Sequence, residues 1–85
     1  MSISNIVKNI LLQHLSLDEL YVNTNQKNCY IIAVSRIFYG ITELERHKII
    51  YAPLMTEIIN KNIHAVTIKT FDPEEWIVKR KFYIA

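Results

Sequence analysis

Apolar residues recur along the chain with two different spacings, which predict an alternation of helices and strands. The first of them lie three or four residues apart, as on one face of an amphipathic helix that ends near Ser16. Residues 17–22 then read as a short strand and residues 23–28 as a polar loop. Residues 29–36 are rich in β-branched and aromatic side chains, which predicts the central strand of a hairpin.

The second half of the chain begins with a helix start signal. Thr42, followed three residues later by Glu45, is typical of a capping box and predicts a helix that runs to about Asn60. Pro53 lies inside this helix, so a kink or two abutting helices are expected near Ala52. The predicted buried stripe of this helix consists of Leu44, Tyr51, Leu54, Met55, Ile58 and Ile59.

Residues 63–71 alternate in polarity and predict the third strand. One face of this strand carries His64, Val66, Ile68 and Thr70, and the other carries Ala65, Thr67, Lys69 and Phe71. Asp72 is a suitable N-cap for a last helix that has Pro73 at its first position. Phe71 and Trp76 occupy the two positions of a hydrophobic staple, which would pin this helix to the strand.

The resulting order is α-β-β-α-β-α, in a chain of 85 residues that has room for a single domain, residues 1–85. A helical crossover between the second and third strands permits parallel pairing, which a tight turn would not. The sequence therefore predicts an α+β fold with a mixed three-stranded sheet and helices packed on it.

Composition narrows the classes of function. The net charge of +2 is a weak signal for a polyanionic partner, and the cluster at residues 79–81 is typical of a solvated chain end. One cysteine excludes an internal disulfide and fits a reducing cytoplasm. Lys8, Gln13 and His14 interrupt the first apolar segment, so neither a signal peptide nor a membrane span is expected.

Catalytic motifs are missing from the sequence. One glycine cannot build a phosphate-binding loop, and no serine lies in a nucleophile elbow. The adjacent carboxylates at residues 18–19 and 74–75 fall at predicted element ends, where helix capping or solvation explains them. The sequence predicts a protein that is not an enzyme.

Four side chains are potential ligands of a soft metal, but no two of them have the sequence spacing of a metal-binding motif. They are His14, Cys29, His47 and His64. Spacing alone favours structural roles for all four. If the second and third strands are parallel neighbours, however, Cys29 and His64 emerge at the same edge of the sheet. Two donors are too few for a closed site, so a partner would have to supply the others.

Four ordered blocks of this chain resemble the BolA family, in particular its short, IbaG-like, acid-stress subgroup. They are F-Y-G at residues 38–40, R-H-K-I-I-Y-A-P-L-M at 46–55, I-H-A-V-T-I-K-T at 63–70 and P-E-E-W at 73–76. The resemblance spans nearly the whole chain, and the blocks are specific in combination. It implies a class II KH-like fold, in agreement with the predicted order of elements.

The resemblance also implies a partner and a cofactor. Family members pair with monothiol glutaredoxins, and the heterodimer holds a bridging [2Fe-2S] cluster that the isolated chain, a monomer or weak homodimer, does not bind. The glutaredoxin cysteine and a glutathione thiol bind one side, and a histidine matching His64 binds the other. The second donor comes from the loop between the first two strands, where Asn28 stands at the histidine position of relatives and Cys29 follows. Cys29, the Asn28 region and His47 remain open as the second ligand.

An alternative function implied by the same resemblance is transcriptional control through DNA. KH domains bind nucleic acids through a G-x-x-G loop. This chain lacks such a loop, because Gly40 is its sole glycine. The side chains that could still contact phosphates are Arg46, Lys48, Lys61 and Lys69.

Overall fold

The computed structural model describes residues 3–26, 28–56 and 65–83, and these residues form a sheet with helices on both faces. Three α-helices and three strands are present in this part of the chain. In chain order they are α1 (Ile3–His14), β1 (Glu19–Asn25), β2 (Asn28–Val34), α2 (Glu43–Tyr51), β3 (Ala65–Phe71) and α3 (Pro73–Lys79). Short 3-10 turns follow β2, α2 and α3 at Arg36–Phe38, Ala52–Leu54 and Arg80–Phe82. None of the helices described has the length and apolar character needed to cross a membrane.

The sheet has the order β1-β2-β3, with β2 in the centre. β1 and β2 are antiparallel, whereas β2 and β3 are parallel and are joined through the α2 crossover. In the parallel ladder Asn28 pairs with Ala65 at one end and Val34 pairs with Phe71 at the other. The predicted α+β class, order of elements and mixed sheet are therefore confirmed.

The polar loop predicted at residues 23–28 is wrong. β1 continues to Asn25 and β2 begins at Asn28, so a two-residue connection replaces the loop. Gln26 takes a φ of 58°, in the left-handed region that tight hairpin turns require. Backbone pairing extends the ladder past the last apolar side chain, because cross-strand hydrogen bonds do not depend on side-chain polarity.

The core lies between one face of the sheet and the first two helices. Alternate residues of β2 and β3 meet α1 and the turn after α2 there, as the period of two along a strand requires. The fully buried apolar members include Val7, Leu11, Ile31, Ala33, Phe38, Ile50 and Leu54. On β3, Ile68 and Thr70 are buried while Thr67 and Lys69 are exposed, which confirms the predicted faces for the described part of this strand.

The predicted buried stripe of α2 is wrong in its orientation. Leu44 is 65% exposed, and Tyr51 and Met55 are also exposed, whereas the buried positions of the helix are Arg46 and Ile50. Leu54 is buried as predicted, and Ile58 and Ile59 lie outside the described residues. The helix ends at Tyr51, next to the 3-10 turn that contains Pro53, so the predicted break near Ala52 is confirmed.

Helix α3 is fixed to the end of β3 by the capping box and the hydrophobic staple that the sequence predicts. Asp72 Oδ1 accepts a hydrogen bond from Glu75 N at 2.8 Å, and Asp72 N donates to Glu75 Oε1 at 2.8 Å. These reciprocal bonds form a capping box, with Pro73 at the first helical position. The staple is also present, because the rings of Phe71 and Trp76 lie 5.2 Å apart between their centroids.

Candidate functional site

Strands β2 and β3 both begin at one edge of the sheet, where Asn28 pairs with Ala65. This is the edge at which the sequence predicts two metal donors. The parallel pairing on which that prediction depends is confirmed. His64, the residue before Ala65 in the sequence, lies outside the described residues.

Cys29 is a core residue. Its side chain is 1% exposed and belongs to the cluster that contains Val7, Leu11 and Ile31. Burial raises the pKa of the Cys29 thiol, because the thiolate would lose its hydration in these apolar surroundings. A metal ligand must be a thiolate that the metal can reach, so Cys29 does not fit a centre shared with another protein in this conformation.

The two described histidines lie near polar atoms of their own helices. His14 Nδ1 lies 2.9 Å from the Ile10 carbonyl oxygen, at the end of α1. His47 Nε2 lies 3.7 Å from Glu43 Oε1, one turn earlier on α2. Across residues 3–26, 28–56 and 65–83, no three His, Cys, Asp or Glu side chains are grouped so that they could hold a metal ion.

Arg46, predicted as a DNA contact, is turned inward. Its Nε donates to the Ile41 carbonyl oxygen at 2.8 Å, and its Nη1 donates to Glu75 Oε1 at 2.7 Å. Its Nη2 lies 3.9 Å from Asp72 Oδ2, and its guanidinium carbon lies 5.7 Å from the centre of the Phe38 ring. Arg46 therefore ties α2 to the capping box of α3, and its predicted place on an exposed basic face is wrong.

The other predicted phosphate contacts do not form one surface with it. Lys48 is exposed on α2 and lies 3.5 Å from Glu45 Oε1, on the side of the sheet that carries the core. Lys69 is exposed on the opposite face of the sheet. Lys61 lies outside the described residues. The faces on which Arg46 and Lys48 lie depend on the orientation of α2, which the sequence did not indicate.

The contacts of Glu75 with Asp72 and Arg46 make the stability sensitive to pH. The hydrogen bond from Asp72 N is the main cause of the lowered pKa of Glu75, and Arg46 lowers it further. Because the folded-state pKa is lowered, ionised Glu75 stabilises the folded protein at pH values above 4.5, the ordinary pKa of a glutamate. This contribution is lost as the pH falls through the folded-state pKa.

We therefore expect Glu75→Gln to lower the free energy of unfolding at neutral pH and to approach the wild type below pH 4.5. Urea unfolding of both proteins at a series of pH values measures the difference. The effect is modest because the Glu75 side chain is 45% exposed. A difference that stays constant across the acid range would contradict the assignment to ionised Glu75.

A group of tyrosines on the outer face of the sheet was not predicted from the sequence. Tyr21 on β1, Tyr30 on β2 and Tyr83 after α3 line a groove of about 450 Å³. Asn23 and Ile32 lie between them. Tyr21 and Tyr30 share a face only through the register of β1 and β2. This register could not be predicted while residues 23–28 were assigned to a loop.

Comparisons with known proteins agree with this fold. Residues 8–75 match the family described as BolA-like protein. An uncharacterised protein of Buchnera aphidicola subsp. Baizongia pistaciae is 45% identical over 76 residues, which cover 89% of this chain and 96% of that one. The acid stress protein IbaG of Escherichia coli K12 is 36% identical over 78 residues, which cover 92% and 93%. The crystal structure of a bol-like protein from Babesia bovis superposes with a TM-score of 0.81 at 30% identity, covering 94% and 95%.

Proposed function

This chain is a member of the BolA family, and we propose that it is a non-enzymatic adaptor that pairs with a monothiol glutaredoxin. In the proposed complex the two proteins and one glutathione share a bridging [2Fe-2S] cluster. The role would lie in iron–sulfur or iron homeostasis and in the response to acid stress. The name of the similar Escherichia coli protein, an acid stress protein, supports the last part of this proposal.

The observation that carries the proposal is the parallel register of β2 and β3. Because Asn28 pairs with Ala65, the β1–β2 turn and the entry into β3 open at the same edge of the sheet. His64 directly precedes Ala65 in the sequence. Neutral imidazole is a known ligand of [2Fe-2S] centres, in which histidine replaces thiolate. A donor at this edge would be available to a partner without opening the core.

Cys29 is the less suitable of the two predicted donors. Reaching a partner's cluster would require its side chain to leave the core cluster, with loss of the apolar contacts that it makes there. The proposal therefore assigns the protein's contribution to His64 and gives Cys29 a packing role. Asn28 is exposed at the same edge, and its amide could position the cluster or the partner.

Titration of cluster-loaded monothiol glutaredoxin with this protein tests the proposal. We expect wild-type protein to change the visible absorption and circular dichroism of the cluster, because a nitrogen ligand replaces a sulfur ligand. We expect His64→Ala to abolish this change and Cys29→Ala to retain it. Far-ultraviolet circular dichroism shows whether each variant is folded.

Two outcomes would contradict the proposal in different ways. An unchanged spectrum with folded wild-type protein would reject the shared cluster altogether. Loss of the spectral change in folded Cys29→Ala, but not in His64→Ala, would keep the cluster and reverse the assignment of the ligand. A direct measurement of binding to cluster-free glutaredoxin separates docking of the partner from ligation.

A further inference from the structure

The outer face of the sheet is covered at one end only. Trp76 of α3 packs against Phe71 and Tyr21 at the end where β3 finishes. Next to it, cross-strand neighbours form two rows of outward side chains; Trp76 partly covers the first row at Tyr21, and the side chains of the second row are exposed. The first row is Tyr21, Ile32 and Lys69, and the second is Asn23, Tyr30 and Thr67. We call these two rows, together with Tyr83, the tyrosine face.

The three tyrosines of this face are each partly exposed. The exposed fractions are 38% for Tyr21, 44% for Tyr30 and 43% for Tyr83. Tyr83 is supported by the rings of Phe71 and Trp76, with centroids at 5.5 and 6.2 Å. Tyr21 is supported by Trp76 at 5.9 Å, and its hydroxyl donates to Glu19 Oε1 at 2.5 Å. The rings are thus held by the fold while part of their surface stays open to solvent.

Positive charges border this face. Lys8 of α1 lines the same groove, and Lys69 pairs with Ile32 in the parallel ladder. The hydrogen bond to Glu19 raises the pKa of Tyr21, and the charge of Arg80 acts in the opposite direction. In the part of the chain that the structure describes, Lys8, Lys69 and Arg80 have no ion-pair partner. Glu19 accepts the hydrogen bond from Tyr21, and Glu43 and Glu75 line a second groove together with Lys69 and Tyr83.

We propose that the tyrosine face binds single-stranded nucleic acid, with bases stacked on the tyrosine rings and phosphates held by the bordering cations. Exposed aromatic side chains on an open sheet offer stacking surfaces for unpaired bases. The cations favour a polyanionic strand over an uncharged proline-rich peptide, which would also fit an aromatic groove. Paired bases in a duplex cannot reach the rings, so the preference should be for single strands.

Fluorescence anisotropy with a labelled oligo(U) RNA tests this assignment at low salt. We expect Tyr30→Ala to weaken binding about 5- to 150-fold, the range expected for loss of one stacked base. Tyr30→Phe should keep most of the affinity, because it retains the ring. Tyr51→Ala is the matched control: Tyr51 is 38% exposed but lies on α2, on the other side of the sheet, and its loss should leave binding unchanged.

Salt dependence and competitors complete the test. Three phosphate contacts predict a slope of about −2 in a plot of log affinity against log salt concentration, at about −0.7 per contact for single strands. A duplex of the same length should compete poorly. The proposal is overturned if oligo(U) does not bind, if Tyr30→Ala and Tyr51→Ala bind alike, or if duplex or a polyproline peptide binds more tightly than oligo(U). Each of these results is independent of the glutaredoxin titration, because the tyrosine face contains neither His64 nor Cys29.

Discussion

Replacing Arg46 with methionine is expected to lower the free energy of unfolding by about 2–3 kcal/mol, because the variant loses hydrogen bonds made by a charged donor. The guanidinium bridges the Ile41 carbonyl oxygen and Glu75 Oε1, and its stem is buried. Methionine keeps much of the apolar stem but leaves the carbonyl oxygen without this donor. The loss should stay below that of a fully buried ion pair, since Glu75 keeps its bond from Asp72 N and part of its hydration.

Urea unfolding followed by circular dichroism measures this loss, and Lys48→Met provides the matched control. Lys48 makes an exposed contact with Glu45 on the same helix, so its replacement should change the stability by less than about 0.5 kcal/mol. Arg46→Lys should lower the stability almost as much as Arg46→Met. The ammonium group of lysine cannot reproduce the guanidinium hydrogen bonds to both the Ile41 carbonyl oxygen and the Glu75 carboxylate. Equal stability of the two methionine variants would show that the Arg46 bridge contributes nothing net.

Replacing Trp76 with alanine is expected to cost about 3–5 kcal/mol, the usual range for removal of a large buried aromatic side chain. Trp76 is 2% exposed and its ring lies near those of Tyr21, Phe71 and Tyr83. A domain of this size has a total stability of about 4–13 kcal/mol at the usual contribution per residue. The variant should therefore be partly unfolded or close to it, and α3 should lose its attachment to the sheet.

Two other substitutions in α3 make this result specific. Trp76→Phe keeps a stacked ring and loses no hydrogen bond within the described residues, because the indole N–H has no partner there; it should cost less than Trp76→Ala. Ile77→Ala changes a side chain that is 73% exposed and should have little effect. Circular dichroism is the suitable probe, since Trp76 is the single tryptophan of the chain. A cost for Trp76→Ala no larger than that for Ile77→Ala would contradict the packing role.

The parts of the fold that could be predicted from sequence are those in which local signals agree. The capping residues Asp72 and Pro73 and the staple residue Trp76 all indicate one helix start, and the structure has it there. Strict alternation along β3 gave its two faces correctly. The helical crossover before β3 correctly allowed the parallel pairing with β2.

Prediction failed where tertiary contacts outweigh local pattern. The orientation of α2 could not be read from polarity, because its buried face includes an arginine whose partner, Glu75, lies 29 residues away. The side chain of Cys29 was equally ambiguous, since Ile31 and Ile32 are both apolar and do not indicate which face of β2 is buried. The tyrosine face was missed because it is assembled across three strands and the C-terminal turn, and its register depends on the hairpin connection.

From the short connection at Gln26 we also expect an order of events when the chain folds. The β1–β2 ladder closes over two residues, which is fast, with hairpins forming in about 1–10 μs. The β2–β3 ladder instead has to await a long crossover, whose closure costs more entropy. We therefore expect the hairpin to form early and β3 with α3 to join it late. In stopped-flow experiments on the variants above, the loss of Trp76 should then appear mainly as faster unfolding and hardly as slower folding.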